Sequence, residues 1–206
     1  MSLWGTTAAA ATNKPKFLTD DVNSKYDITN VYADLTGWVQ RAGSSATGNG
    51  NTGATPETLV AIGGLAGITT STGLKHPTIT RIRFGESAYT GEVAITVLVT
   101  WDEKVMYTAG TAGTIAVVST GTNIACTATH FDGVEIANGI KGNTITFTGT
   151  TVDEGATLSI ADDTALGDPD LFDALGAQDA LATASITVTA AVKAASGYST
   201  RTVTAS

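Results

Sequence analysis

From residue 78 onward, polar and apolar residues alternate with a period of two. Thr80, Ile82 and Phe84 fall on one face of a predicted strand, and Arg81 and Arg83 fall on the other, a polar face that is solvated or pairs with acidic groups of a neighbouring subunit. After a turn near Gly91, Val93, Ile95, Val97, Val99 and Trp101 alternate with Ala94, Thr96, Leu98 and Thr100. The first series is the core face, and Trp101 closes it as the expected centre of the core. Further strands are predicted over 58–62, 114–119, 124–130, 143–149, 156–160 and 185–192, with turns at Gly121, Gly133, Gly142 and Gly155. Short strands so closely spaced leave no room for crossover helices, which makes the chain all-β, with a sandwich favoured over a barrel. One stretch carries helix signals. Asp168 can cap and Pro169 can open a single turn over 169–175, in a loop crossing between sheets. The residues from 197 to 204 read as a final strand or a tail.

Residues 1 to about 50 keep neither a period of two nor one of 3.6, so an extended N-terminal arm is expected there. The Gly/Ser/Asn tract 43–53 then acts as a linker, placing the boundary near 55 and the sandwich over 56–206. The arm carries spaced apolar residues, among them Trp4, Phe17, Tyr26, Tyr32 and Trp38, which a solvated tail has no reason to hold. It must pack on its own sandwich or on a neighbouring subunit. Trp4, Phe17, Tyr32 and Trp38 are the expected interface anchors.

Composition narrows the function. The net charge is -8 with a pI near 4.5, a field that repels phosphate backbones and anionic lipid, so neither nucleic acid nor membrane is an expected partner. No apolar run approaches the roughly 20 residues that span a bilayer, and the opening residues lack a basic, apolar leader, so the chain is expected to be cytosolic when made. Cys126 is the single cysteine; no intrachain disulfide can form. His76 and His130 are the only histidines. Cys126 and His130 share a strand face but stand about 13 Å apart along it, too far for a catalytic pair. No Gly-x-Ser-x-Gly or His-Glu-x-x-His stretch occurs, and a non-enzymatic protein is expected. The one candidate for a bound cofactor is Ca²⁺. Asp162, Asp163, Asp168, Asp170 and Asp173 lie in a segment without Lys or Arg, and hard oxygen ligands suit that ion. Their spacing matches no EF-hand, so a solvated acidic loop is the other reading.

Two resemblances add to this. The stretch Val97-Leu98-Val99-Thr100-Trp101-Asp102-Glu103-Lys104-Val105, followed by Asn143-Thr144-Ile145-Thr146-Phe147-Thr148, Thr157-Leu158-Ser159-Ile160 and Asp173-Ala174-Leu175-Gly176, resembles bacterial and phage immunoglobulin-like repeats over residues 92–190. The resemblance implies an immunoglobulin-like β-sandwich in which the aromatic residue plugs the core, the acidic pair turns the chain and the last valine starts the next strand. Trp101 stands where that pattern has phenylalanine, and no proline follows Glu103. The opening Met1-Ser2-Leu3-Trp4-Gly5, with Asn13-Lys14-Pro15-Lys16-Phe17-Leu18, the segment from Tyr26 to Tyr32 and Gly37-Trp38-Val39, looks like the arm of structural proteins of marine tailed phages. That implies a virion component. A capsid decoration or cement protein is expected, oligomeric on the particle and bound to other virion proteins, foremost the major capsid protein. The alternatives are a neck, tail or fibre-associated subunit, or a host-surface carbohydrate-binding module with Tyr89, Tyr107 and Phe131 as stacking rings.

Overall fold

The computed structural model describes residues 26, 28–44, 50–62, 77–86, 88–91, 93–161, 164–173, 187–188, 190, 192 and 200–204. The protein is nearly all β. Its strands are β1 (Val31–Asp34), β2 (Gly37–Gln40), β3 (Glu57–Ala61), β4 (Ile79–Phe84), β5 (Tyr89–Thr90), β6 (Val93–Ser119), β7 (Thr122–Phe131), β8 (Val134–Glu135), β9 (Lys141–Val152), β10 (Thr157–Ser159), β11 (Thr164–Ala165), β12 (Gly167–Asp173), β13 (Thr187–Val188) and β14 (Thr200–Thr204). Twelve of them form one mixed sheet, and β11 and β13 form a separate ribbon.

β6 is the axis. Its first part pairs with β4 on one side and β9 on the other, its middle pairs with β12, and its last part pairs with β7 and β10. β7 in turn faces β6 through 122–127 and β9 through 127–131. The hydrogen-bonded path from β6 through β9 and β7 therefore returns to β6, so the sheet curls back on itself. The register aligns one apolar row after another on the concave side. Val97 is opposite Phe147 and Phe147 opposite Ala128; Val99 is opposite Ile145 and Ile145 opposite Phe131, and all six are buried. Thr96, Thr148, Thr127 and Thr114 form the matching outward row.

Two tight turns fix that register. Thr120-Gly121 joins β6 to β7 and Asp132-Gly133 joins β7 to β8, and all four residues have positive φ, as two-residue hairpin loops that follow the strand twist require. Thr120 carries this conformation without glycine's freedom. Its N–H donates to the Thr157 carbonyl at 3.1 Å, and its hydroxyl accepts from the Thr157 N–H at 3.2 Å, which ties the hairpin tip to β10.

Three expectations need correction. The segment 169–175 was expected to make a helical turn, whereas residues 167–173 form β12, antiparallel to β6. A lone helical turn fixes several dihedrals for one hydrogen bond, while the edge of β6 offers a whole ladder. Pro169, which has no N–H, sits where the register shifts. The expected extended arm is instead structured over residues 31–40 as β1 and β2, and β2 pairs with β3 across the boundary placed near 55. Arg81, assigned to a solvated face, is 1% exposed. The C-terminal residues 200–204 do form a strand, antiparallel to β10 and parallel to β5.

Trp101 is fully buried at the end of the inward series Ile95, Val97 and Val99. Trp101→Ala should cost about 3–5 kcal/mol of unfolding free energy, measured by denaturant titration. A loss under about 1 kcal/mol would contradict the facing assigned to β6.

Candidate functional site

β6 does not keep step with β9 throughout. Thr100 faces Thr144 and Val105 faces Gly142, so five steps on β6 match two on β9. The residues that bulge out of register are Trp101, Asp102, Glu103 and Lys104. The N-terminal strands attach at this irregularity: β1 runs parallel to β6 with Ala33 opposite Glu103. The other flank is held by a reciprocal pair, since the Thr78 N–H donates to Asp102 Oδ1 at 2.8 Å and the Asp102 N–H donates to the Thr78 carbonyl at 3.0 Å.

The meander β1–β2–β3 depends on a tight first turn. Asp34 Oδ1 accepts from the Thr36 N–H at 2.7 Å and from its hydroxyl at 2.6 Å. Gly37 follows with φ +137, where a Cβ would meet the Val60 carbonyl at 2.0 Å; only glycine fits against β3 there. Trp38 then packs with Val31 and Ala33 in a small cluster lined by Tyr26, Leu59, Val60 and Ile62.

Between this meander and the large core lies a buried polar seam. Gln40, Arg81, Thr100, Asp102, Glu103, Asn143 and Thr144 are each at most 3% exposed. Arg41, directly after β2, is its hub. Its Nη2 lies within reach of Asp132 Oδ1 at 2.8 Å, Asn143 Oδ1, Thr144 Oγ1 at 3.1 Å and the Thr29 carbonyl at 3.0 Å, four acceptors that share its two N–H groups. Asp132 is held in turn by the N–H groups of Thr144 at 3.0 Å and Asn143 at 3.3 Å. Arg81 Nη1 donates to Thr29 Oγ1 at 2.8 Å. Four elements thus meet through charge and hydrogen bonds: the meander, β4, β9 and the β7–β8 turn. Lys104 Nζ lies 4.8 Å from the centre of the Tyr32 ring. Burial pushes the Tyr32 phenol up to about 12, with Asp34 and Asp132 adding to the rise and Arg41 opposing it.

The expected interface anchors divide. Tyr32 and Trp38 are 3% and 0% exposed, covered within the chain itself. Trp4 and Phe17 lie outside the described residues. The aspartates divide too. Asp162 and Asp163 are outside the described residues, while Asp168, Asp170 and Asp173 stand on β12 and not in a loop. Among the described residues, no three His, Cys, Asp or Glu side chains gather as a metal site. Cys126 is buried, which pushes its thiol up to about 11, and His130 Nδ1 bonds the neighbouring Thr129 hydroxyl at 3.0 Å. The proposed stacking rings Tyr89, Tyr107 and Phe131 are all buried, so none of the three offers a face to a sugar. An open groove of about 580 Å³ does exist at the β6–β7 hairpin end, lined by Ser119, Thr120, Thr122, Ile124, Thr150 and the 153–156 turn.

Sequence reasoning missed Arg41, Asn143 and Asp132 as partners. The only local signal was the Asp132-Gly133 dipeptide, which marks a hairpin turn but not a charge pair. No family model, curated protein or solved structure matches the chain.

Arg41→Ala should lower stability by about 2–3 kcal/mol, because it leaves the largely buried Asp132 carboxylate without its counter-charge. An unchanged denaturation midpoint would refute the hub. Tyr32 gives a second check. A phenol whose folded pKa lies above the ordinary 10 contributes stability that is present below pH 10 and lost as the pH rises toward 12. Ultraviolet titration should show a tyrosine step near pH 12, and Tyr32→Phe should remove it.

Proposed function

We propose that this chain is a non-enzymatic structural protein of a tailed-phage virion, built on an immunoglobulin-like β-sandwich and acting as a decoration or cement protein on the outer head lattice. The sandwich reading is supported by β6 and β7, which pass from one half of the curled sheet to the other, as strands do when they turn the corner of two packed layers. The quoted motif supports it as well. Trp101 fills the core, the acidic pair falls at the register break, and Val105 is where pairing with β9 resumes.

The observation that carries the clamp reading is the docked meander. The described residues of the meander pack around Val31, Ala33 and Trp38 and are tied to the sheet by a part-buried charge and hydrogen-bond network, a base that a merely trailing tail does not have. The sequence before that base carries Trp4 and Phe17, and these are the proposed contacts to the major capsid protein and to neighbouring virion proteins. Tyr32 and Trp38 serve the base instead. The seam's titratable groups hold the fold together and do not converge on an open cavity, which favours a scaffold over a catalyst.

The test is removal of residues 1–25 with the meander left intact. The truncated protein should melt cooperatively within a few degrees of the full chain, yet fail to fill its positions when added to particles that lack it. Imaging of complete particles should place the chain across the head shell and not in a ring at the neck. Full occupancy by the truncated protein would defeat the clamp reading.

A further inference from the structure

β7 runs from Phe131, beside the Arg41–Asp132 pair, to Thr122 at its other end, and there the sheet holds a groove that the assembly reading leaves unused. Three elements close around it: the β6–β7 hairpin with Ser119, Thr120, Thr122 and Ile124, the end of β9 with Thr150, and the 153–156 turn. Hydrogen bonds outside the strand ladders pin these walls. The Thr120 N–H donates to the Thr157 carbonyl at 3.1 Å, the Gly155 N–H to the Val203 carbonyl at 2.8 Å, and the Val203 N–H to the Ala156 carbonyl at 2.9 Å. The groove is therefore preformed, and its volume of about 580 Å³ falls among small-molecule clefts of roughly 300–1,000 Å³. Thr120 holds φ +44, a conformation that glycine adopts without strain. Its hydroxyl accepts from the Thr157 N–H at 3.2 Å and keeps a proton to donate.

The lining selects a ligand by elimination. The hydroxyls of Ser119, Thr120, Thr122 and Thr150 both donate and accept, while the exposed carboxylates of Asp153 and Glu154 accept. No Lys, Arg or His is among the described residues that line the groove, and the chain carries a net charge of -8, so a phosphate, sulfate or carboxylate meets no counter-charge. An ammonium group suits the carboxylates but offers the hydroxyls no acceptor. A ligand rich in hydroxyls answers both. We propose that this groove binds a neutral saccharide, whose hydroxyls donate to Asp153 and Glu154 and accept from the wall hydroxyls, with Ile124 and Ala156 against the C–H face of the ring. No aromatic ring is among the described lining residues, so stacking adds nothing and the affinity is millimolar.

The experiment follows amide chemical shifts of the isotope-labelled full-length chain. The probes are the methyl glycosides of glucose, galactose and mannose with the matching neutral disaccharides, then N-acetylneuraminic acid, then lysine amide. At least one neutral sugar should shift the amides of Thr120, Thr122, Ile124, Thr150 and Gly155 and saturate in the millimolar range, whereas N-acetylneuraminic acid, being an anion, should not. A disaccharide that binds about tenfold tighter than its monosaccharide marks a glycan chain as the ligand; equal affinity marks a free sugar. Asp153→Ala and Thr122→Val alter different walls, and both side chains are exposed, so each variant should melt as the wild type does. Each should weaken the sugar, Asp153→Ala by about tenfold or more, as loss of a charge-assisted hydrogen bond implies. Should a substitution unfold the chain, the wild-type titrations decide alone. The inference is wrong if no neutral sugar shifts these amides, if the shifts survive both substitutions, or if lysine amide saturates the groove and sugars do not. The readout needs no particle, so it stands or falls apart from the assembly reading.

Discussion

The ion pair between Arg41 and Asp132 ties the end of β2 to the β7–β8 turn, parts of the chain far apart in sequence. Asp132 is placed by a two-residue hairpin turn, and its carboxylate is already oriented by the N–H groups of Asn143 and Thr144 before any cation arrives. A carboxylate fixed in this way beside a mostly buried surface demands a counter-charge, and leaving it without one costs far more than the pair contributes over an apolar substitute. Arg41 meets that demand from the end of β2, and in doing so it seats the whole meander against the bulge in β6. Specificity of docking, more than strength, is what this arrangement supplies.

The bulge itself follows from the sheet's geometry. A strand of 27 residues cannot keep one register with β9 and also reach β7, β10 and β12 at its far end, so steps are lost between Thr100 and Val105. The extra residues bring Asp102 and Glu103 into fully buried positions, with Asp102 Oδ1 accepting from the Thr78 N–H and Glu103 opposite Ala33 of β1. Core, bulge and meander are therefore successive consequences of one long strand.

What was legible in the sequence was what depends on local alternation. Ile95, Val97, Val99 and Trp101 face inward as their spacing indicates, because β6 there has one covered and one open face. The same reasoning fails where both faces are covered. Val31, Tyr32 and Ala33 are all buried, as are Trp38, Val39 and Gln40, so β1 and β2 show no alternation and look like an irregular arm. Arg81 alternates correctly but is covered by the N-terminal segment, a neighbour more than 50 residues away in sequence. β12 was obscured by local helix signals at Asp168 and Pro169 that lose to a non-local strand edge. Of the site, the Trp101–Val105 motif and the Asp132-Gly133 turn could be read in advance; that Arg41 closes on them could not, since nothing local to residue 41 records it.

The account holds that the Arg41–Asp132 pair seats the meander on the rest of the sheet, and amide hydrogen exchange tests this directly. In the wild type, amides of β1 and β2 and those of β9 should all be protected, with β9 the slower. In Asp132→Asn, Val31, Ala33 and Val39 should lose protection together, while Ile145 and Phe147 keep theirs, the signature of one unit opening without the other. Equal loss of protection across β1, β2 and β9 would show a single cooperative core and contradict the account.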